Sequence, residues 1–388
     1  MTEKQNYTLR QLILYFLRLG TMGFGGPVAL IGYMHRDLVE ERKWISDTDY
    51  KEGLALAQLA PGPLAAQLGI YLGYVDYGIL GATLAGLAFV LPSFIMVVIL
   101  GWIYKIYGGL NWMQSVFYGV GASVIGIIAH SAYKLTRKTI GKDKLLWLIY
   151  LVAAFITIIT ETESVFLFLG AGILSWLMKE PPHFLQSTKA IRGFIPPSLL
   201  PFFMGNPPAD TDTLLRITGF FTKAGAMIFG SGLAIVPFLY GGVVNEYHWL
   251  NVKQFLDAVA VAMITPGPVV ITVGFIGFLI AGFTGASLAA LATFLPCYLF
   301  TIIPAPYFKK YGKRPDIAAF VAGVTAAATG AISGAVVVLG RKSISDIPTA
   351  LLALVTVTLL FKSKKIKEPV IVLAAAIIGL VLYPLIHH

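Results

Sequence analysis

The chain has 388 residues, of which 57% are hydrophobic and only 12% are charged. Soluble domains carry about 25% charged residues, so this composition excludes a soluble globular enzyme, a nucleic-acid-binding module and a disordered chain. The formal net charge is +10, and the single cysteine, Cys297, excludes an internal disulfide and a cysteine-clustered metal site.

Apolar segments follow one another along the chain, many of them long enough to cross a bilayer, and they predict an all-α polytopic membrane protein. The first set lies at roughly 9–34, 47–75, 78–107, 112–133, 145–160 and 164–178. The second set lies at roughly 214–244, 252–282, 284–308, 316–340, 347–361 and 369–386. No small-residue cleavage site follows the first segment, so we expect no removable signal peptide.

The two sets are copies of each other. At an offset of 205 the first half matches identical residues in the second at Phe16, Gly20, Met22, Phe24, Gly25, Glu41, Trp44, Pro61, Gly62, Pro63 and Gly69. Pro92 matches Pro296 at an offset of 204. Such duplication is common in transporters. We therefore expect a first repeat at 1–178, a Pro-rich linker at 179–213 and a second repeat at 214–388.

The positions of Lys and Arg predict that the repeats are inverted. The loop at 134–144 is rich in both residues, whereas its second-half counterpart retains Arg341 and Lys342. The basic loops at 309–314 and 362–367 correspond instead to poorly basic first-half loops around Lys105 and Glu161. Because basic loops stay on the cytoplasmic side, equivalent loops face opposite sides of the membrane.

Inversion requires an odd number of crossings in each half if the linker stays on one side. Six segments per half are therefore one too many, and we expect one segment broken by Gly and Pro to be re-entrant. This gives about five transmembrane helices per repeat and ten in all. Alternatively, the apolar FIPPSLLPFF stretch of the linker supplies an extra crossing, and each half then has six.

A double proline break lies in one apolar segment of each half, at Pro61, Gly62 and Pro63 and again at Thr265, Pro266, Gly267 and Pro268. Each proline removes a backbone donor and interrupts the helix. In lipid such breaks occur where they are buried or line an aqueous cavity. A helix that begins after the break directs its positive end at the cavity, which suits an anion. The plainer interpretation is a kink used only for packing.

A glycine motif precedes each break. Phe24, Gly25 and Gly26 in the first half correspond to Phe229, Gly230 and Ser231 in the second. These residues could unwind a helix so that its backbone amides bind an anion. They could equally let two helices pack closely, since the chain contains 40 glycines.

One cation is present at the same place in both repeats. Arg18 lies six residues before Phe24, and Lys223 lies six residues before Phe229. Charges within apolar segments are costly and generally face a pathway or a partner. Two such cations beside helix N-termini would form a site for a divalent anion, although long side chains near a segment end can also reach the interface.

Acidic and polar residues around the breaks complete the candidate site. Glu52 corresponds to Asp257, nine residues before the first proline of each break, and the pair could couple an ion to transport or simply cap a helix. Hydrogen-bond donors to an oxyanion are expected among Gln58, Gln67, Thr265 and Thr272. The sequence contains neither a nucleotide-binding P-loop nor a zinc-protease motif, and we expect no enzymatic activity, no cofactor and no metal.

The FGGP, ExxW and APGP motifs, repeated as FGSG, ExxW and TPGP, resemble those of the chromate ion transporter (CHR) family in its long, two-domain form. The resemblance covers nearly the whole chain. It implies a plasma-membrane carrier for chromate, with sulfate as a similar tetrahedral dianion, and antiparallel halves. The second half departs from the first at Ser231, Gly232 and Thr265, so the two half-sites are not expected to be equivalent.

The leading hypothesis is a multi-pass secondary transporter that exports chromate by alternating access between inverted repeats in the plasma (inner) membrane. The alternatives are a carrier of sulfate or another anion, and an anion channel on the same scaffold. Oxyanion and lipid bilayer are the expected partners, and nucleic acid is not. The sequence leaves the direction, the coupling ion and the formation of a homodimer open.

Overall fold

The computed structural model describes residues 7–24, 26–107, 110–161, 165–180, 209–228, 232, 235–311, 314–344, 346–362 and 368–386. Within these ranges the chain is helical and contains no strand. Five helices are long and apolar enough to cross a membrane, and three further apolar helices are shorter. The all-α membrane architecture is confirmed, whereas the total of ten crossings stays a prediction.

Each half contributes a corresponding series of helices. The first half contains α1 (Leu9–Met22), α2 (Gly26–Met34, continued by the π-helical turn His35–Glu41), α3 (Asp47–Leu59), α4 (Leu64–Tyr107), α5 (Asn111–Thr139), α6 (Lys144–Thr160) and α7 (Val165–Lys179). The second contains α8 (Ala209–Ala226), α9 (Ile235–Tyr240, continued by the π-helical turn Gly241–Glu246), α10 (Val252–Ile264), α11 (Thr272–Ile302), α12 (Ala305–Tyr311), α13 (Pro315–Ser343), α14 (Ile347–Lys362) and α15 (Glu368–Ile386).

The first hairpin of each half consists of two short helices that fold back on each other. The Tyr7 ring, just before α1, stacks on Trp44, just after α2, with centroids 5.0 Å apart. In the second half the Phe221 ring of α8 stacks on Trp249 at 6.4 Å. Because the residues after each glycine motif pack on the segment before it, the glycine motif forms the tip of the hairpin.

The second hairpin of each half has a proline break at its tip. In the first half Gly53 of α3 packs directly against the Tyr71 ring of α4. In a straight helix these residues would be about 27 Å apart, so the chain reverses at residues 60–63. In the second half α10 packs against α11 in the same way. Both broken segments of the first half are therefore hairpins, and the prediction that one segment in each half is re-entrant in the membrane stays a prediction.

A glycine then reverses the chain again inside α4 and inside α11. Gly78 has φ +58° and Gly282 has φ +61°, a conformation that glycine adopts without strain. Gly73 consequently touches Gly81, and in the second half Gly277 touches Gly285. The long limbs that follow, 79–107 and 283–302, run back beside the hairpins.

The remaining helices of the two halves are interlocked. Helix α13 packs against α6 and α7 of the first half, while α5 packs against α14 and α15 of the second. Glycines permit the close approach, because Gly323 and Gly330 of α13 lie directly on the backbone of α7 and α6. The equivalent helices α5 and α13 run antiparallel, since a Cβ at Gly121 would lie 3.5 Å from Ser343 Oγ and one at Gly340 would lie 3.8 Å from Ile125 Cγ2.

The caps of α6 mark the two ends of the helix bundle. Asp143 caps the start of α6 by accepting from the Leu145 and Leu146 amides, and it pairs with Lys179 at the end of α7. Glu161 ends α6 and pairs with Lys342 at the end of α13. We call these the Asp143 end and the Glu161 end. The basic loop at 134–144 and the starts of α13 and α15 lie at the Asp143 end, as does the end of α14.

Candidate functional site

The two proline breaks lie where the halves of the protein meet. In the first break Gly62 has φ +143°, and its amide donates to the Ile228 carbonyl at 2.6 Å. In the second break Gly267 has φ +96°, and its amide donates to the Gly23 carbonyl at 3.0 Å. Donors and acceptors both correspond at an offset of 205. Each break is therefore held by the glycine turn of the opposite half.

Side chains satisfy other backbone groups freed at the breaks. Gln67 Nε2 donates to the Pro61 carbonyl at 2.9 Å, and Ser93 Oγ donates to the Pro266 carbonyl at 2.7 Å. Thr265 and Thr272 donate to carbonyls of their own chain segments, Val261 and Val269, each at 2.7 Å. These hydroxyls and this amide thus bind backbone carbonyls at the breaks, and the role of Gln67, Thr265 and Thr272 as donors to an oxyanion stays a prediction.

The two half-sites differ chemically, as the sequence predicts. Gln67 is 0% exposed, and its Oε1 has no hydrogen-bond partner among the residues that the structure describes. At the first break, Gly62 lies against the amide of Gln67 and the thiol of Cys297, since a Cβ there would be 2.7 Å from Nε2 and 3.0 Å from Sγ. At the second break the hydroxyl of Ser93 takes the place of the thiol.

Sequence reasoning missed Ser93 and Cys297. They follow Pro92 and Pro296 directly, so the 204-residue offset that aligned those prolines also aligns this pair. Their contacts with the breaks come from the reversal at Gly78 and Gly282, which brings the long limbs of α4 and α11 back to the tips. The pattern of apolar residues in the sequence does not indicate this reversal of the chain.

The glycine turns themselves are only partly described. Phe24 is half-buried and its amide donates to the Met22 carbonyl at 3.1 Å, while Gly26 is the first residue of α2. The other predicted residues of the motif lie outside the described residues: Gly25, Phe229, Gly230 and Ser231.

Both predicted cations are close to the hairpin tips. Arg18 lies five residues before Gly23 in α1, and Lys223 lies five residues before Ile228 in α8. Both side chains are exposed, and neither forms a hydrogen bond or ion pair with a described residue. Because an unpaired charge facing lipid near the bilayer centre is costly, these faces of α1 and α8 are candidates for an aqueous surface. The structure shows no described contact between the two cations.

The predicted carboxylate pair occupies two different environments. Asp257 is 2% exposed, and its Oδ2 accepts a 2.7 Å hydrogen bond from Tyr104 of the other half. Glu52 is half-buried and lies 3.4 Å from the Tyr71 hydroxyl within its own hairpin. Gln58, at the end of α3, is exposed.

The route from the surface to the hairpin tips differs between the Asp143 end and the Glu161 end. A cavity of about 260 Å³ reaches the first break. It is lined by Leu56, Leu59, Ala60, Pro61, Phe300, Pro304, Tyr307, Phe308 and Ile317. Helix α12 and the start of α13 contribute to this lining, so the cavity lies toward the Asp143 end. The residues that line this cavity are apolar, so the charge that attracts an anion has to come from residues outside the lining.

At the Glu161 end a polar cluster connects three parts of the molecule. Lys342 of α13 pairs with Glu161 of α6 and donates to the Tyr240 hydroxyl at 2.7 Å. Asn245, in the turn after α9, donates to the Glu161 carbonyl at 2.9 Å. The cluster fastens the first hairpin of the second half to the interlocked helices.

Comparison with known proteins identifies relatives along the whole chain. A family model described as "Chromate transporter" matches twice, at residues 10–176 and 215–380. A "Chromate transport protein" of Cupriavidus metallidurans is 71% identical over 383 residues, which is 98% of this chain and 95% of that protein. A "Probable chromate transport protein" of Synechococcus elongatus is 65% identical over 97% of this chain and 96% of its own. A "Chromate transport protein" of Pseudomonas aeruginosa is 29% identical over 96% of this chain and 92% of that protein. No solved structure matches.

Proposed function

This chain belongs to the chromate transporter family, and from that membership we propose that it is a secondary carrier that exports chromate across the plasma membrane. The family is one of transporters, and the long apolar helices make the chain a multi-pass membrane protein. An oxyanion and membrane lipid are accordingly its partners. We assign it no catalytic role.

One observation carries the mechanism, namely the reciprocal hydrogen bonds from Gly62 to Ile228 and from Gly267 to Gly23. These bonds join the two hairpin tips of the first half to the two hairpin tips of the second half. Broken helices at matching positions are where transporters bind substrate, and rocking of one repeat against the other gives alternating access. The tips therefore serve as both the binding site and the pivot.

The proposal treats 1–178 and 214–388 as inverted repeats joined by the linker at 179–213. The antiparallel packing of α5 and α13 supports this relation, as do the matching contacts of the two breaks. The basic loops at 134–144, 309–314 and 362–367 adjoin helix ends at the Asp143 end. By the positive-inside rule that end faces the cytoplasm.

The proposal of export is supported by which end of the molecule is open. The cavity toward the Asp143 end reaches Pro61, whereas the Lys342 cluster fastens the Glu161 end. This arrangement corresponds to a carrier that is open to the cytoplasm and ready to load an internal anion. Opening the Glu161 end then requires the Lys342 cluster to separate.

The anion is held by charge and by backbone amides. Arg18 and Lys223 supply the positive charge, because they are exposed near the tips without a described counter-charge. Amides at the start of α4 and at the start of the 3₁₀ turn Val269–Ile271, which leads into α11, supply donors, since the first N–H groups of a helix have no intrahelical partner. The glycine turns at 23–26 and 228–231 belong to the same proposed site.

Chromate counterflow in proteoliposomes tests this function. Vesicles loaded with unlabelled chromate are expected to accumulate labelled chromate from outside, with saturation, whereas an anion channel would equilibrate the label without accumulation. Thermal stabilisation of the purified protein by chromate, sulfate and molybdate ranks the anions, because a ligand that binds the folded state raises its stability.

The charge assignment is tested with Arg18→Gln and Lys223→Gln. We expect each to weaken chromate binding by about 10-fold or more, in line with the loss of one charge-assisted hydrogen bond of about 1.5–3 kcal/mol. Lys51→Gln is the matched control, because Lys51 is exposed and pairs only with Asp47 on the surface of α3. If both tip variants transport like the control, the two cations are not part of the site.

A further inference from the structure

The carboxylate of Asp257 lies in an environment that suits a bound proton. Every residue from 255 to 263 of α10 is buried, and Asp257 itself is only 2% exposed. Its described hydrogen-bond partner is a single neutral donor, the Tyr104 hydroxyl, at 2.7 Å. An ionised carboxylate with so little compensation costs several kcal/mol in a non-polar interior, so this environment favours the neutral acid.

The groups that act on Asp257 electrostatically are few. They are Tyr104 of α4 and Lys253, which is exposed one turn earlier in α10. Of the other elements that pack on α10, α11 has no charged residue, the charged residues of α5 and α15 lie at the Asp143 end, and Glu246 of the π-helical turn Gly241–Glu246 is exposed. The Tyr104 ring is itself fixed edge-on between Phe117 at 5.4 Å and Phe275 at 5.6 Å. The hydroxyl is therefore held in place by the aromatic packing around it.

The hydrogen bond joins the two halves of the protein. Tyr104 belongs to the long limb of the first half, and Asp257 belongs to a hairpin of the second. Movement of one half against the other would separate the pair and admit water to the carboxyl. At the matching position Glu52 is half-buried, and its tyrosine neighbour lies in its own hairpin. The described tyrosine contact of Asp257 thus crosses between the halves, whereas that of Glu52 lies within one hairpin.

From this geometry we propose that Asp257 binds one proton when the Glu161 end is closed and releases it to water when that end opens. This inference rests on the alternating-access function proposed above. It adds that Asp257 is the group through which pH changes the equilibrium between the closed and open states. The proton is taken up by a carboxylate oxygen and returned to water, so no other reactant is needed. Acid then favours the closed state, and alkali favours opening.

The test is the pH profile of chromate counterflow with equal pH on both sides of the membrane. One linked proton changes an equilibrium by up to about tenfold per pH unit. We expect the wild-type rate to follow such a dependence and Asp257→Asn, a permanent neutral mimic, to lose it. Asp47→Asn is the matched control and should keep the wild-type profile, because Asp47 is an exposed carboxylate that pairs with Lys51 on the surface of α3. Protonation of chromate itself affects all variants equally.

Tyr104→Phe supplies a second, independent variant. Loss of its hydroxyl removes a donor that stabilises the ionised carboxylate, so the midpoint of the profile should move to higher pH while counterflow continues. If Asp257→Asn keeps the wild-type profile, or if Tyr104→Phe leaves the midpoint unchanged, the inference is wrong. Absence of counterflow in the wild-type protein would instead refute the proposed carrier function, so the two failures are distinguishable.

Discussion

Gly267→Ala is the substitution that tests the meeting of the two halves most directly. Gly267 has φ +96°, where an L-residue is strained by about 1–2 kcal/mol. A Cβ there would also overlap Ser93 Oγ and would lie 3.2 Å from Ser93 Cβ and 3.4 Å from the Gly20 carbonyl oxygen. Overpacking of this kind costs about 1–3 kcal/mol. We therefore expect a loss of about 2–5 kcal/mol in the free energy of unfolding.

Three comparisons isolate the cause of that loss. Gly219→Ala is the control, because Gly219 is helical with nothing within 4 Å of a Cβ, and alanine there should be neutral or stabilising by up to about 1 kcal/mol. Gly62→Ala should also destabilise the protein, since Gly62 has φ +143° and a Cβ there would lie 2.7 Å from Gln67 Nε2. Adding Ser93→Ala to Gly267→Ala should restore part of the stability by removing the overlap.

The assay is unfolding of the purified protein in detergent, followed by the loss of helical circular dichroism. Chromate counterflow of each variant provides a second readout, because displacement of the second break should also weaken the Gly267 to Gly23 contact. Our reasoning is refuted if Gly267→Ala unfolds at the same temperature as Gly219→Ala. It is also refuted if the added Ser93→Ala gives no recovery.

Three further outcomes are expected. Lys342→Met should weaken closure of the Glu161 end, because it removes the bonds of Lys342 to Glu161 and Tyr240. A membrane-impermeant thiol reagent should then react faster with a cysteine introduced near the hairpin tips. An unchanged reaction rate would contradict this expectation. Ser93→Ala alone should cost about 1 kcal/mol in unfolding through the hydrogen bond lost to Pro266. Lys179 and the cap amides lower the pKa of Asp143, so its stabilisation is present above the unfolded pKa and is lost as pH falls through the lower folded value. Asp143→Asn, which keeps the cap, should reduce this acid sensitivity in melts between about pH 5 and 3 and cost up to about 1 kcal/mol at neutral pH.

The local chemistry of the breaks was predictable from sequence. Two prolines around Gly62 and around Gly267 forbid a continuous helix whatever surrounds them, and the 205-residue offset pairs the two sites. The composition alone required a membrane protein built from helices.

What the sequence could not provide is the spatial partner of each group. Gln67 and Thr272 carry donors, but only the folded backbone shows that they bind the carbonyls of Pro61 and Val269. The interlocking of α13 with α6 and α7 depends on small residues such as Gly330, which in an apolar sequence look like any other glycine. The sequence did not indicate the contact of Tyr104, because its partner Asp257 lies 153 residues further along the chain.

The interlocked helices impose an order on how this protein is built. A ribosome delivers α6 and α7 to the bilayer long before α13 is made, and those two helices touch each other little. Their glycine and alanine faces, including Ala153 and Gly172, find their packing surface only when the later helix is inserted. The first half must therefore wait in the membrane as a loose assembly, and chain termination or slowed synthesis after α12 would leave an intermediate exposed to membrane quality control.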